Sequence, residues 1–159
     1  MKITLRNPVP GDIGWLISIH GESYAEQFNF DSNFEVHIAK KVIGFLENDA
    51  KFNKIWIAET GTERVGSIAI SLRQNQTSFI NFLLVKREYR GHGIAKQLMD
   101  KVIYHSQKFN INSIRLETYS CLKDSRNLYK KYGFEPYEVR PNLEKYGQSF
   151  DQEFWEKRL

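Results

Sequence analysis

Apolar residues recur at helical spacing in two stretches of the N-terminal third of the chain. In the first, Asp12 can cap a helix whose apolar face comprises Ile13, Leu16, Ile17, His20 and Tyr24. Residues 26–31 break that periodicity. Ser32-Asn33-Phe34-Glu35 then has the form of a capping box, and the inward face of the helix it opens comprises Phe34, Ile38, Val42, Phe45 and Leu46. A short strand, Ile3 to Arg6, precedes both helices.

Patterns typical of strands follow from residue 54. Residues 54–59 and 64–70 flank Thr60-Gly61-Thr62 as a hairpin, and a third antiparallel strand runs from Ser78 to Val85. The next helix has an apolar face of Ile94, Leu98, Met99, Val102 and Ile103. It leads to a strand at 113–117, which should be parallel to its predecessor because a helix connects the two. A helix containing Tyr129 and strands at 134–139 and 148–155 complete the chain.

The element order is therefore β-α-α-β-β-β-α-β-α-β-β. This order predicts an α/β protein with one mixed sheet flanked by helices. A chain of 159 residues has room for one core, so residues 1–159 are expected to form a single domain.

The stretch Arg90-Gly91-His92-Gly93-Ile94-Ala95 joins a strand to a helix and carries the clearest chemistry. Glycines at a helix N-terminus expose unpaired backbone N–H groups, to which the helix dipole adds positive charge. No Gly-Lys-Ser/Thr ends the stretch, and Lys96 stands where a dinucleotide loop has its third glycine. The stretch predicts an anion site, and a turn that only packs helix on sheet is the alternative.

The stretch fits R-x-x-G-x-A, with Arg90, Gly93 and Ala95 at the fixed positions. In this the chain resembles the GNAT acetyltransferase superfamily, whose signature Q/R-x-x-G-x-G/A holds the pyrophosphate of acetyl-CoA. A second family motif, A-x-x-L-Y-x-x-x-G-F, is matched further along by Leu128, Tyr129, Gly133 and Phe134. The resemblance implies the acyl-CoA N-acyltransferase fold, with a mostly antiparallel central sheet and about four helices.

Residues 6–8, 10–15, 24–26, 146–147 and 155–156 look more specifically like acetyltransferase domains fused to MarR-type regulators. This closer likeness covers nearly the whole chain and implies the acetyltransferase half standing alone, without a DNA-binding half. One position departs from the family. Leu122 stands seven residues before Tyr129, where many members have an asparagine near the cofactor. One polar contact to CoA is therefore expected to be missing.

The resemblance implies acetyl-CoA as cofactor and transfer of its acetyl group to a primary amine by direct attack in a ternary complex. The residues it assigns to the cofactor are Leu84, Val85, Arg90, Gly91, His92, Gly93, Ile94, Ala95 and Tyr129. Tyr129 is also the expected general acid, because a phenol of pKa ~10 can protonate a thiolate of pKa ~8.5. The alternative is a ring that only packs beside Leu128.

The general base is less well determined. An alkylamine arrives protonated, so some group must take its proton. Glu117, which ends the strand beside the glycine-loop strand, is the first candidate, and the others are Glu22, His20 and Glu26. Each carboxylate can equally be a solvated surface group, and His20 an inward-facing histidine without a catalytic role.

An acidic and aromatic run between the first two helices predicts the acceptor site. Carboxylates beside rings suit an alkylammonium, which gains ion pairing and cation–π contact. The residues assigned to the acceptor are Glu22, Tyr24, Glu26 and Phe28. A surface loop whose rings cover the sheet edge is the alternative. The acceptor is expected to be a small-molecule or peptide amine.

The composition of the chain bears on which binding partners, metal sites and cellular locations are expected. The net charge is +4, but no basic cluster is longer than two residues, so a polyanionic cofactor explains the charge better than nucleic acid does. The lone Cys121 and four scattered histidines indicate neither a disulfide nor a metal site. Without a membrane-length apolar run or a signal peptide, a cytoplasmic location is expected. A catalytically silent CoA-binding sensor and a nucleic-acid-binding module remain as rival functions, and a homodimer is left open.

Overall fold

The computed structural model describes residues 1–159 and has the element order that the sequence predicts. In chain order the elements are β1 (Thr4–Arg6), α1 (Asp12–Phe28), α2 (Ser32–Glu47), β2 (Lys54–Thr60), β3 (Glu63–Arg73), β4 (Thr77–Val85), α3 (Ile94–Lys108), β5 (Ser113–Tyr119), α4 (Lys123–Lys131), β6 (Glu135–Lys145) and β7 (Gln148–Arg158). A single turn of 3-10 helix, Arg87–Tyr89, precedes the glycine loop.

The strands form one seven-stranded sheet in the order β1-β2-β3-β4-β5-β7-β6. Every neighbouring pair is antiparallel except β4 and β5, which are parallel. This confirms the expected mixed, mostly antiparallel sheet with four helices. The single parallel pair lies near the middle of the sheet, where β4 leads into the glycine loop.

Side chains alternate along the strands and so divide the core into two layers. On one face, Leu16 of α1 and Phe34 of α2 pack with Ile57 of β2. On the other face, Leu98 of α3 and Tyr129 of α4 pack in a cluster with Trp56, Ile68 and Trp155. Helices α1 and α2 therefore cover one face of the sheet, and α3 and α4 cover the other. No helix has both the length and the apolar character that crossing a membrane would require.

The start of α1 differs from the prediction. Its N-cap is Gly11, in a left-handed conformation and without a side-chain cap, so Asp12 does not cap the helix. Asp12 is fully buried instead, and its carboxylate accepts hydrogen bonds from Arg6 at 2.6 Å and from Arg64 at 2.7 Å. The bond from Arg6 lowers the pKa of Asp12 to about 2. The carboxylate thus ties β1 and β3 to the first turn of α1.

Two further boundaries were predicted wrongly. Helix α1 continues to Phe28, because tertiary packing of its rings outweighs the break in periodicity from residue 26. The N-cap of α2 is Asp31, whose Oδ1 accepts from the Asn33 N–H at 3.0 Å, so the cap lies one residue before the predicted capping box and the helix begins at Ser32. Leu46, expected to face inward, is exposed in the last turn of α2.

Candidate functional site

Strands β4 and β5 begin side by side and then separate. Their pairing is confined to Thr77–Phe79 against Ser113–Arg115, and the rest of β4 has no partner on this side. A bulge opposite Ile68 bends β4 just beyond this point, and Phe82 takes a φ of +55° within it. The Phe82 carbonyl accepts the Ser67 hydroxyl at 2.6 Å. The bulge and the separation open a V-shaped cleft through the sheet, lined by unpaired peptide groups of β4.

A cavity of about 970 Å³ occupies the open end of this cleft. Its volume is in the range typical of small-molecule sites. The predicted site residues that line it are Tyr24, Glu26, Phe28, Leu84, Val85, Arg90 and Ala95. The structure therefore brings the assigned cofactor strand and two residues of the assigned loop, Arg90 and Ala95, to one cavity, together with part of the assigned acceptor run. Gly91, His92 and Gly93 do not line it, and the Ile94 side chain is buried in the core. We call this space the large cavity.

The glycine loop lies at one edge of the large cavity and leaves backbone N–H groups unpaired there. Gly91 and Gly93 have φ values of +83° and +77°, and a Cβ on either would meet no protein atom within 4 Å. Conformation rather than crowding therefore requires glycine at both positions. Gly93 is the N-cap of α3 without a side-chain cap, and the first paired N–H of the helix is that of Gln97, donated to the Gly93 carbonyl at 3.1 Å. The N–H groups of residues 94–96 are left free for a ligand.

Four cations and two carboxylates, Glu26 and Asp124, line the large cavity, which leaves its rim net positive. Arg90 donates from Nε to the Val85 carbonyl at 3.3 Å, which holds its guanidinium over the loop. The other basic residues of the lining are Arg87, Lys123 and Lys131. None of these three basic residues was predicted from the sequence. A signal existed for the two on α4, because Lys123, Asn127 and Lys131 recur every four residues and so share one face of that helix. Free N–H groups, an anchored arginine and a basic rim fit the pyrophosphate and phosphate groups of acetyl-CoA.

A second, smaller cavity of about 80 Å³ lies deeper in the V, between α1, α2, β4, β5 and α4. We call it the small cavity. Three of the predicted catalytic candidates line it: His20, Glu117 and Tyr129. Tyr24 and Ser125 line both cavities. The two spaces therefore adjoin, so that ligands held in each would meet near α4.

Burial fixes the protonation states in the small cavity. Tyr129 is 6% exposed, and desolvation raises its pKa, so the phenol keeps its proton at neutral pH. Burial likewise raises the pKa of Tyr24 to about 12. His20 is buried and its pKa falls to about 4, which keeps the imidazole neutral. Because its Nδ1 meets the Leu16 carbonyl at 2.8 Å, that nitrogen carries the hydrogen and Nε2 is an acceptor.

Glu117 is partly buried and accepts a hydrogen bond from Gln152 of β7. Two residues of α2 that sequence reasoning missed, His37 and Lys41, also line the small cavity. Burial lowers the pKa of both. Their spacing of one helical turn beside the inward-facing Phe34 and Ile38 is the sequence signal that points to this side of α2.

Glu22 lies outside both cavities. It is exposed on α1, where its carboxylate accepts from Ser18 at 3.3 Å. Because α1 continues to Phe28, residues 22 and 24 project from nearly opposite sides of the helix, so Glu22 cannot join Tyr24 in a pocket. Glu26 is also exposed and pairs with Arg87 at 3.2 Å on the large-cavity side. The carboxylate that the structure places with Tyr129 is Glu117.

Comparison with known proteins agrees with this geometry. Residues 16–134 match the family described as Acetyltransferase (GNAT) family. N-acetyltransferase 8B of Mus musculus is 30% identical over 106 residues, which are 63% of this chain and 41% of that protein. N-alpha-acetyltransferase 30 of Saccharomyces cerevisiae is 41% identical over 56 residues, 35% of this chain and 32% of that protein. The matches thus span well under half the length of these relatives.

Among solved structures, an N-acetyltransferase from Staphylococcus aureus Mu50 superposes with a TM-score of 0.81 at 17% identity, covering 99% of both chains. At that identity the likeness concerns the fold. The family match covers most of the sequence and includes β4, the glycine loop, Glu117 and Tyr129. This chain belongs to the acetyltransferase (GNAT) family.

Proposed function

We propose that the protein is an acetyl-CoA-dependent N-acetyltransferase that acts on a primary amine by direct attack within a ternary complex. The observation that carries the proposal is the split between β4 and β5, which joins an anion-binding cavity to a polar cavity through the sheet. Two substrates entering from the two sides would meet at the junction. Direct transfer between them needs such a meeting point.

The large cavity suits the donor. The free N–H groups after Gly93 and the Arg90 guanidinium would hold its pyrophosphate, and the β4 peptide groups at Leu84 and Val85 would hold its acyl arm. Acetyl-CoA supplies a thioester whose carbon–sulfur bond breaks as the amine nitrogen bonds to the acetyl carbon. Leu122 lines the cavity with an apolar side chain, which fits the loss of one polar contact expected from the sequence.

The small cavity supplies the proton transfers. Glu117 can take the proton that an incoming ammonium must give up, and the buried Tyr129 phenol can give its proton to the departing sulfur. Once it is bonded to the acetyl carbon, the nitrogen must give up a second proton, and that proton, passed through the open cleft, would restore the Tyr129 phenol. His20 is neutral, and its Nε2 can accept a hydrogen bond from the amine.

Turnover of acetyl-CoA by the purified protein tests the proposal. Free thiol is measured against a panel of alkylamines, amino acids, peptides with free N-termini and peptides with internal lysine, with amine-free hydrolysis subtracted. Amine-dependent thiol release and a product heavier by one acetyl group are expected. Tight CoA binding without turnover on any amine would instead indicate the silent CoA sensor.

Replacing Gly93 tests the donor site. Gly93→Val places a β-branched side chain at a φ of +77° and sends bulk toward the free N–H groups, so CoA binding should fall by ~100-fold or more. Isothermal titration calorimetry with CoA measures the loss. Gly61→Val is the matched control, because Gly61 also has a positive φ and open space around a Cβ but lies in the β2–β3 turn. Equal CoA affinity in the two variants would contradict the donor site.

Three finer expectations stay predictions. They are the nearer likeness to acetyltransferase domains fused to MarR-type regulators, the cytoplasmic location and the absence of nucleic-acid binding. Retention on DNA that weakens with added salt would contradict the last of these.

A further inference from the structure

The small cavity is lined by one cation and one carboxylate that form no salt bridge, and the only side chain bonded to that carboxylate is the neutral amide of Gln152. Lys41 of α2 and Glu117 of β5 both line it, and neither belongs to an ion pair anywhere in the molecule. Charged side chains that are drawn into a protein are normally paired. Here the unpaired ammonium and the unpaired carboxylate face the same small space.

The fold places these two charges at different depths in the V-shaped cleft between β4 and β5. Glu117 is two residues beyond Arg115, the last residue of β5 that pairs with β4, and so lies where the strands begin to separate. Lys41 lies within electrostatic range of Glu117 and of Arg73, whose guanidinium stacks on Phe79 at the closed end. Tyr129 and Ser125 lie toward the open end, next to the large cavity. From the large cavity inward, the three side chains therefore lie in the order Tyr129, Glu117, Lys41.

Further polar atoms in the lining also lack partners. The hydroxyl oxygen of Thr118 is buried and makes no hydrogen bond. Only one nitrogen of the buried His20 ring is bonded, and the acceptor nitrogen Nε2 is free. Buried polar groups are rarely left unsatisfied, so the Thr118 hydroxyl indicates a polar ligand, to which His20 Nε2 offers an acceptor. A wholly apolar acceptor would leave all of them without partners.

We propose that the acceptor is a small amine that also bears a carboxylate, as a free amino acid does. The inference rests on the proposed function and names its substrate class. The ammonium lies at Glu117, within reach of the acetyl group, and the carboxylate lies deeper, at Lys41. A cavity of about 80 Å³ holds only a few non-hydrogen atoms, so the part of the acceptor that enters is small. The two charges would bind opposite ends of a zwitterion, which gives orientation as well as affinity.

Matched pairs of amino acids and their carboxamides test this assignment. Glycine with glycinamide and alanine with alaninamide differ at the carboxylate and are assayed with acetyl-CoA on the wild type and on Lys41→Met. The variant keeps side-chain length and removes the charge, so kcat/KM should fall ~10- to 100-fold for the acids and stay within about twofold for the amides. For each substrate, the kcat/KM of Lys41→Met is divided by that of the wild type. This ratio removes the difference in amine basicity between an amino acid and its carboxamide. Lys40→Met, at the exposed neighbouring position of α2, is the control and should change neither.

Several results would overturn the assignment. They are an equal loss for acids and amides in Lys41→Met, no loss for either, and a wild type that acetylates only amines without a carboxylate. If no amine is turned over, calorimetric titration of glycine into the CoA complex decides. Binding that depends on Lys41 would then uphold the substrate class while contradicting the proposed enzyme, and the lack of any binding would contradict both.

Discussion

At the scale of single residues, Tyr129 is the side chain on which the proposed chemistry depends most. It is buried at the junction of the two cavities, and its raised pKa keeps the proton available. Tyr129→Phe removes that proton and keeps the ring, so kcat should fall ~10²-fold or more while acetyl-CoA affinity changes little. Steady-state kinetics with the best acceptor, together with calorimetric titration of CoA, separate the two effects.

A nearby tyrosine gives the control. Tyr132, three residues later, donates its hydroxyl to Asp100 at 2.7 Å, with the Lys96 carbonyl 3.1 Å from the same oxygen, and it lines neither cavity. Tyr132→Phe should leave kcat within about twofold, since it removes a hydrogen bond remote from the reaction. Wild-type turnover in Tyr129→Phe would mean that water protonates the thiolate and that the Tyr129 ring serves packing alone.

The site residues that the sequence identified are those whose roles are local. The glycine loop and Val85 belong to one strand-loop-helix unit, so a short sequence motif is enough to predict their relative positions. Glu117 was predicted from its place at the end of a strand, but Lys41 was not, because it meets Glu117 only where β4 and β5 diverge, and no spacing in the chain records that meeting. The expectation for Glu22 rested on its nearness in sequence to Tyr24, whereas the two residues project from nearly opposite sides of α1.

At the scale of elements, Gly66 of β3 controls how closely β4 can approach. It pairs with Val85, and a Cβ on it would lie 2.7 Å from the Leu84 carbonyl oxygen. Gly66→Ala should therefore displace β4 at the assigned acyl-binding residues. We expect KM for acetyl-CoA to rise several-fold and unfolding free energy to fall by about 1–3 kcal/mol, as for other overpacked sites. Kinetics and urea denaturation measure the two effects.

Another glycine provides the matched substitution. A Cβ on Gly44, which lies within α2, would meet no atom within 4 Å. Gly44→Ala should stabilise the protein by about 0.5–1 kcal/mol, through the gain in helix propensity, and leave KM unchanged. A Gly66→Ala protein with wild-type KM and stability would show that β4 adjusts without affecting the donor site.

Element types were predictable because hydrophobic periodicity is a local property, and the parallel pairing of β5 followed from its helical connection. Element ends were less predictable. Asp12 resembles a cap in sequence, but its carboxylate is drawn to Arg6 and Arg64, which lie in two other elements. The bulge in β4 carries no sequence signal, since Phe82 is an ordinary strand residue that adopts a positive φ under tertiary constraint.

At the scale of the whole molecule, the two-layer core explains why a cleft can pass through the sheet without loss of the fold. Each layer packs across the split, because one contains Ile80 of β4 with Leu116 of β5 and the other contains Phe82 of β4 with Tyr119 of β5. Pattern reasoning reached one mixed sheet but not the place of the split. The place of the split depends on long-range packing between β4, β5 and the helices, which no pattern along the chain records.

The buried His20 links the stability of the whole molecule to pH. Its pKa drops from 6.5 to about 4 on folding because burial disfavours the charged ring. As the pH falls, the unfolded chain binds a proton first, so the contribution is complete above pH ~6.5 and declines toward pH ~4. The unfolding free energy should therefore fall by about 2 kcal/mol between pH 7 and pH 5 from this residue.

Urea denaturation of wild type and His20→Phe at those two pH values measures this contribution. The substitution keeps an aromatic ring beside Tyr24 and Phe82 and removes the titrating group, so the variant should lose less stability on acidification. His37 and His105, whose pKa values burial also lowers, remain in both proteins and cancel in the comparison. His92→Phe, at an exposed loop position, should retain the wild-type pH dependence. An identical pH dependence in His20→Phe and wild type would mean that the ring is protonated within the folded protein, and His20 could then not serve as a neutral acceptor in the small cavity.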